Sequence, residues 1–287
     1  MTYLQAVKNT ALRLQNAGIE SAATESELIL SELAGCSRAE LFLRADRQVP
    51  QDIAEALEEI VRRREKREPL QYILGYASFM KLDLLVNPAV LIPRPETELL
   101  VERLIKTVPH GASVLDLGTG SGAIALALAY ERDDLKITGL DVSREALLVA
   151  AKNREKYRLD NVEFLQSDLF SGLSGRRFDC IAANLPYVSE KEYAGLMPEV
   201  RDFEPELALT APEDGLKLIC ECIKEAPEHL LPGGTIIFEM GISQAEDIRK
   251  ALNDTGKFKN IETIQDYSRR DRFIAAELDA GAKSQKK

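Results

Sequence analysis

The chain has no tryptophan, only two histidines (His110 and His229) and no Cys-x-x-Cys pair among its four cysteines, Cys36, Cys180, Cys220 and Cys222. A His-rich metal site, or a mechanism using several histidines, is therefore not expected. The scattered thiols read as reduced core residues. Long apolar runs are also missing. None approaches the roughly 20 residues of a membrane-spanning helix, and the stretch from Met1 to Ala17 lacks a basic region followed by an apolar segment and a cleavage site. A cytoplasmic address with no membrane partner is the expectation. Basic excess is lacking too: 37 Lys and Arg stand against 47 Asp and Glu, a net charge of −10. That balance argues against a general nucleic-acid binder. What is present is an ordinary soluble composition, 45% hydrophobic and 29% charged over 287 residues. It is enough for a sizeable core in one large domain with a small companion, or in two medium ones.

The first part of the chain reads as consecutive helices. Leu4, Val7, Ala11 and Leu14 recur at helical spacing, as do Ile53, Leu57, Ile60 and Val61. Gly35 stops a helix that runs from about Ser21, and Ser37 with Glu40 fits a capping box opening a short one. The basic run Arg62–Arg67 reads as a solvated face at a helix C-terminus, the alternative being contact with an acidic partner. Between Ala77 and Pro88 short alternating stretches suggest a hairpin, and a helix starts at Pro95 with Glu96 and Glu98 in its first turn. Strands at Ser113–Leu117, Lys136–Asp141, Asn161–Gln166, Phe178–Ala183 and Thr235–Glu239, separated by helical stretches, predict an α/β fold with a parallel sheet and helices on both faces. Ile261–Ile264 and Arg272–Glu277 follow each other without a helix between them and should pair antiparallel.

The loop Gly118-Thr119-Gly120-Ser121-Gly122 lies where the first strand of the sheet meets a helix. Glycines there admit a ligand close to the backbone, at the edge where such sheets bind nucleotides. Gly118, Gly120 and Ala123 also satisfy a dinucleotide fingerprint, with Asp141 about 20 residues on. A nicotinamide-dependent oxidoreductase and a purely structural turn are alternatives on this loop alone. Asp116, two residues before the first glycine, and the continued spacing to Gly122 have no part in the dinucleotide mechanism. Adenosylmethionine, by contrast, carries an ammonium group that such a carboxylate can stabilise. Asp168 follows the third strand, so three acids would lie along one crevice and suit an amino group, a ribose and an adenine; a turn or helix cap is the plainer reading of Asp168. The fourth strand ends in Asn184-Leu185-Pro186-Tyr187. An Asn carbonyl and a backbone carbonyl can each accept one hydrogen of a planar NH₂ while an aromatic ring packs on its face. Pro186 would stiffen the turn and fix the aim of the Leu185 carbonyl. An ordinary polar turn is the alternative.

Asp116–Gly122, Asp141 and Asn184–Tyr187 resemble the amino-directed class I methyltransferases that use S-adenosylmethionine, and within them the release factor glutamine methyltransferase family. Leu91-Ile-Pro-Arg-Pro-Glu-Thr-Glu98 is similar to that family's linker, and Pro69–Gly75 to the stretch before it. The resemblance spans roughly residues 3 to 278. It departs at Leu185, where the family commonly has proline and ribosomal-RNA adenine dimethyltransferases have leucine.

The resemblance implies a Rossmann-like class I methyltransferase sheet (96–280), an N-terminal helical substrate-docking domain (1–72) and a β-hairpin linker (73–95); the small, polar and basic residues 281–287 read as a disordered tail. It further implies methyl transfer to the glutamine amide of a Gly-Gly-Gln loop in peptide-chain release factors, which are the protein partners. Asn184 and the Leu185 carbonyl would accept the two amide hydrogens and Tyr187 would pack on the amide plane. Gly118 to Gly122 would pass beneath the methionine part of the cofactor, Asp141 with Val142 would hold the ribose, and Asp168 with Leu169 would lie near the adenine. An adenine amino methyltransferase acting on RNA or DNA is the alternative activity; a non-catalytic S-adenosylmethionine-binding module is a further one.

Overall fold

The computed structural model describes residues 1–212 and 214–281, so 282–287 of the tail expected to be disordered lie outside the described residues. The chain divides into two compact units, 1–75 with 197–203, and 76–196 with the rest of the chain.

The first unit holds α1 (Tyr3–Asn16), α2 (Ala22–Leu33), α3 (Arg38–Leu43), α4 (Gln51–Arg64) and α5 (Leu70–Leu74), together with a short helix at Pro198–Phe203. Thr2 and Ser37 form complete capping boxes with Gln5 and Glu40 and so satisfy N–H groups that a helix start leaves unpaired. The expected buried face of α1 is rotated. Tyr3, Ala6, Thr10 and Leu14 are buried, whereas Leu4 is 39% exposed. Tyr and Thr register as polar in a periodicity count, yet the Tyr3 ring joins the same cluster as Ile29, Leu57 and Val61. The basic run is also not uniformly solvated. Arg62 and Arg63 pair with Glu59 and Glu68, but Arg64 is 4% exposed and bonds Glu25 (2.7 Å) and Glu199 (3.1 Å). Arg67 reaches the other oxygen of Glu199 at 2.6 Å. The acidic partners of this run lie within the chain, and they tie 197–203 to the helical unit.

The second unit opens with a hairpin, β1 (Tyr76–Phe79) and β2 (Leu82–Leu85), followed by α6 (Pro95–Thr107), β3 (Ser113–Leu117), α7 (Ala123–Glu131), β4 (Lys136–Asp141), α8 (Arg144–Tyr157), β5 (Val162–Gln166), β6 (Phe178–Ala183) and α9 (Glu190–Tyr193). The Pro198–Phe203 helix is α10; α11 (Lys217–His229), β7 (Leu230–Glu239), α12 (Ala245–Asp254), β8 (Phe258–Gln265) and β9 (Asp271–Leu278) complete the chain. The hairpin is more than a connector. Phe79, Leu82 and Leu84 are buried in one cluster with Leu100 and Leu126, and Asn153 of α8 pairs both the N–H and the carbonyl of Leu85. All seven residues from Ala123 to Ala129 are buried, as a helix that is apolar on every side must be.

The seven-stranded sheet has the order β5-β4-β3-β6-β7-β9-β8, with β9 antiparallel to β7 and to β8 and every other pairing parallel. From β3 the chain moves outward through β4 and β5, then returns to the other side of β3 as β6. That reversal opens a crevice at the carboxyl ends of β3 and β6, where open α/β sheets bind ligands. Leu117 sits opposite Ala183 in the register, so the glycine loop and the Asn184 turn leave the sheet side by side.

Candidate active site

The glycine loop is held from below. The N–H groups of Gly118 and Thr119 both donate to the Leu140 carbonyl at 2.9 and 2.8 Å, which stitches the loop to the end of β4. Gly118 adopts φ +76°, and a Cβ there would come within 3.3 Å of the Leu185 side chain; only glycine lets the two loops approach this closely. At Gly120, with φ +55°, an added Cβ would meet nothing within 4 Å, so the backbone lies open. Its N–H donates to Asp141 Oδ2 at 2.8 Å, and Ser143 N–H donates to Oδ1 at 2.9 Å. Burial raises the Asp141 pKa while these backbone donors oppose the rise. The carboxylate is thus rigidly aimed.

These groups line a cavity of about 370 Å³, within the range of small-molecule sites. One wall is Gly118–Ser121, a second is Asp141 with Val142, and a third is Asp168 with Leu169. Asn184, Leu185 and Pro186 form the fourth side. The linker contributes Leu91, Pro93, Arg94 and Thr97. Buried Glu204 holds that linker in place, accepting from Ile92 N–H at 3.0 Å and pairing with Arg94 at 2.5 Å.

The Asn184 turn is braced by the segment that opens α12 and by the loop after α10. Gln244 donates to the Tyr187 carbonyl at 2.9 Å, and Val188 N–H donates to the Leu209 carbonyl at 2.9 Å. Asn184 Nδ2 lies 3.4 Å from Thr97 Oγ1, which in turn donates to Glu239 Oε2 at 2.6 Å. The Tyr187 hydroxyl donates to Glu239 Oε1 at 3.3 Å. Glu239 is 2% exposed; burial raises its pKa, and the Thr97 and Tyr187 hydroxyls and the charge of Arg272 oppose that rise.

A family model described as the PrmC N-terminal domain matches residues 5–75, and one described as the methyltransferase small domain matches 95–198. The release factor glutamine methyltransferase of Geobacter sulfurreducens is 40% identical over 266 residues, covering 92% of this chain and 93% of its own length. That of Koribacter versatilis is 39% identical, with coverage of 94% and 97%. The chain belongs to the release factor glutamine methyltransferase family. Its fold is also that of a methyltransferase from Pyrococcus furiosus, with TM-score 0.54 at 20% identity over 70% of this chain and 91% of that one.

Three residues that the sequence reading placed at the ligand lie elsewhere. Asp116 is fully buried and does not line the cavity. Its Oδ2 accepts from Thr119 Oγ1 at 2.6 Å and Ala125 N–H at 3.1 Å, while Oδ1 is buried with no hydrogen-bond partner among the described residues. Desolvation pushes its pKa up to about 7. It is the internal clip of the glycine loop. Gly122 starts α7, packed so closely on Leu126 and Phe164 that a Cβ would fall 2.8 Å from one and 3.2 Å from the other. Tyr187 packs against the sheet core and gives its hydroxyl to Glu239, so its ring is not among the groups lining the cavity. Asp168 is exposed on the cavity wall. Sequence reasoning missed Arg94, Thr97 and Glu239 as site residues. The available signal for Glu239 was an acid ending an otherwise apolar strand, Thr235-Ile-Ile-Phe-Glu239, at the carboxyl edge of the sheet.

Proposed function

We propose that this protein transfers a methyl group from S-adenosylmethionine to the side-chain amide nitrogen of the glutamine in the Gly-Gly-Gln loop of peptide-chain release factors. The observation that carries this reading is the shared cavity. Asn184 and Leu185, which bear the two carbonyl acceptors of this reading, line the space that the glycine loop and Asp141 close from the other side.

The residues present fit the cofactor. The open backbone at Gly120 suits the methionine part, the fixed Asp141 carboxylate suits a ribose diol, and Val142 with Leu169 offers an apolar wall for adenine. When bound, S-adenosylmethionine supplies an electrophilic methyl whose leaving group is a neutral thioether. The remaining difficulty lies with the nucleophile, because an amide nitrogen shares its lone pair with its carbonyl. Asn184 and Leu185 accept the two amide hydrogens, hold the nitrogen in one orientation and favour the positive charge that develops on it, which is discharged when one of those hydrogens leaves as a proton to solvent. Pro186 limits the freedom of the turn that carries both acceptors. We assign the helical unit to docking the release factor, and the cytoplasm as the place of work; no helix among the described residues is long and apolar enough to cross a membrane.

The test is incubation with labelled S-adenosylmethionine and a purified release factor beside its Gln→Ala loop variant. Label confined to the unaltered factor is expected. Label in both would reject the glutamine, and label appearing only when RNA or DNA is supplied would favour the adenine-directed alternative.

A further inference from the structure

An asparagine amide is nearly symmetric in shape, yet only one of its two ends can accept a hydrogen bond. If Asn184 rotated by 180° about its last side-chain bond, it would present an NH₂ to the incoming NH₂ of the substrate, donor against donor. Something must therefore choose the orientation, and the choice has to be made before substrate arrives.

The geometry points to Thr97 and Glu239 as positioning residues that lock Asn184 with its carbonyl oxygen turned to the substrate. This rests on the proposed part of Asn184 as an amide acceptor. In its ionised form Glu239 has no hydrogen to give, so its Oε2 obliges the Thr97 hydroxyl, 2.6 Å away, to donate to it. A threonine hydroxyl has one hydrogen. Once that hydrogen is committed, Thr97 Oγ1 can only accept, and the group it meets on Asn184, at 3.4 Å, must be Nδ2. Oδ1 is then the end left for substrate. The second carboxylate oxygen takes the Tyr187 hydroxyl at 3.3 Å, so Glu239 engages both ends of the Asn184–Tyr187 turn.

The surroundings suit a lock. Thr97 is 4% exposed and reaches the cavity from the first turn of α6, whose start is set by Pro95. Glu239 ends β7, beside β6, whose end Asn184 directly follows. Thr97 Oγ1 is held by Glu239 on one side and Asn184 on the other, and each bond in the relay polarises the next. The negative charge at one end thereby increases electron density on Asn184 Oδ1 at the other.

The experiment compares Thr97→Val, Thr97→Ser, Asn184→Ala and the double variant Thr97→Val/Asn184→Ala, using purified release factor and labelled S-adenosylmethionine. Valine keeps the shape of threonine and removes the relay; serine keeps the hydroxyl. Thr97→Val is expected to lower kcat about 10- to 100-fold, the range for a misaligned reacting group, with the KM for release factor changed less than about threefold. Calorimetric affinity for S-adenosylmethionine should be unchanged, which also reports that the variant is folded; if it is not, Thr97→Ala takes its place. Thr97→Ser should restore most of kcat. The double variant should be no slower than Asn184→Ala alone, because Thr97 acts through Asn184. A fully active Thr97→Val beside a crippled Asn184→Ala overturns the lock alone. A fully active Asn184→Ala overturns the proposed part of Asn184 and the lock with it.

Discussion

Two regions of the molecule bury charge, and they do so differently. In the helical unit, Arg64 is met by Glu25 and Glu199, and Arg67 by Glu199 again. Opposite charges cancel there, and the result is a fixed junction between distant segments of chain. At the edge of the sheet, Glu239 is held mainly by two neutral hydroxyls, Thr97 and Tyr187. Hydroxyl hydrogens can rotate, so a carboxylate among them sets a direction for every bond in the relay. The first arrangement joins parts of the chain; the second aims a side chain.

The largest effect is expected at the end of the relay. Asn184→Ala should cost about 100-fold or more in kcat, the scale of losing one acceptor or donor aimed at developing charge, with S-adenosylmethionine affinity retained in calorimetry. In the helical unit the effect should fall on stability. Arg64→Met leaves Glu25 partly buried without its cation, while Glu199 keeps Arg67. It should cost about 3 kcal/mol in urea unfolding, the low end of breaking a buried pair, because Glu199 keeps Arg67 and Glu25 keeps some contact with water. Cofactor affinity should not change.

Asp141→Ala falls next in size. Loss of a charged acceptor for the ribose hydroxyls should weaken S-adenosylmethionine binding about tenfold, as for one charge-assisted hydrogen bond, measured by calorimetry. The remaining effect is a slope of stability against pH. The Asp116 pKa is raised to about 7 from its ordinary 3.8. Its contribution to stability is therefore fully present below about pH 4 and is lost as pH rises through about 7. Asp116→Asn, which keeps the acceptor for Thr119 and Ala125, should flatten that part of the stability profile.

What was legible in the sequence follows from the range over which each signal acts. The strands from Ser113 onward and the helices between them were readable because apolar periodicity is local. Ser37 with Glu40 was readable because a capping box is complete within four residues. The face of α1 was misread because Tyr3 and Thr10 are amphipathic, and burial decided their side. Arg64 looked solvated because Glu199 lies 135 positions away. Thr97 and Glu239 are separated by 142 positions and meet only when α6 and β7 reach the same edge. Asp116 showed its charge in the sequence but not its depth; the loop that it clips conceals it. The site's ligand-facing glycines and the Asn184 turn were visible because each is a short motif. The relay behind them was not, because it exists only in the assembled sheet.

The most direct measurement is a crystal structure of the protein with S-adenosylhomocysteine and a peptide carrying the Gly-Gly-Gln sequence. The expected result places the glutamine amide nitrogen about 3 Å, an ordinary hydrogen-bond distance, from both Asn184 Oδ1 and the Leu185 carbonyl, with Asn184 Nδ2 against Thr97. A glutamine amide bound away from this turn, or an Asn184 whose NH₂ faces it, would contradict the aimed-acceptor mechanism.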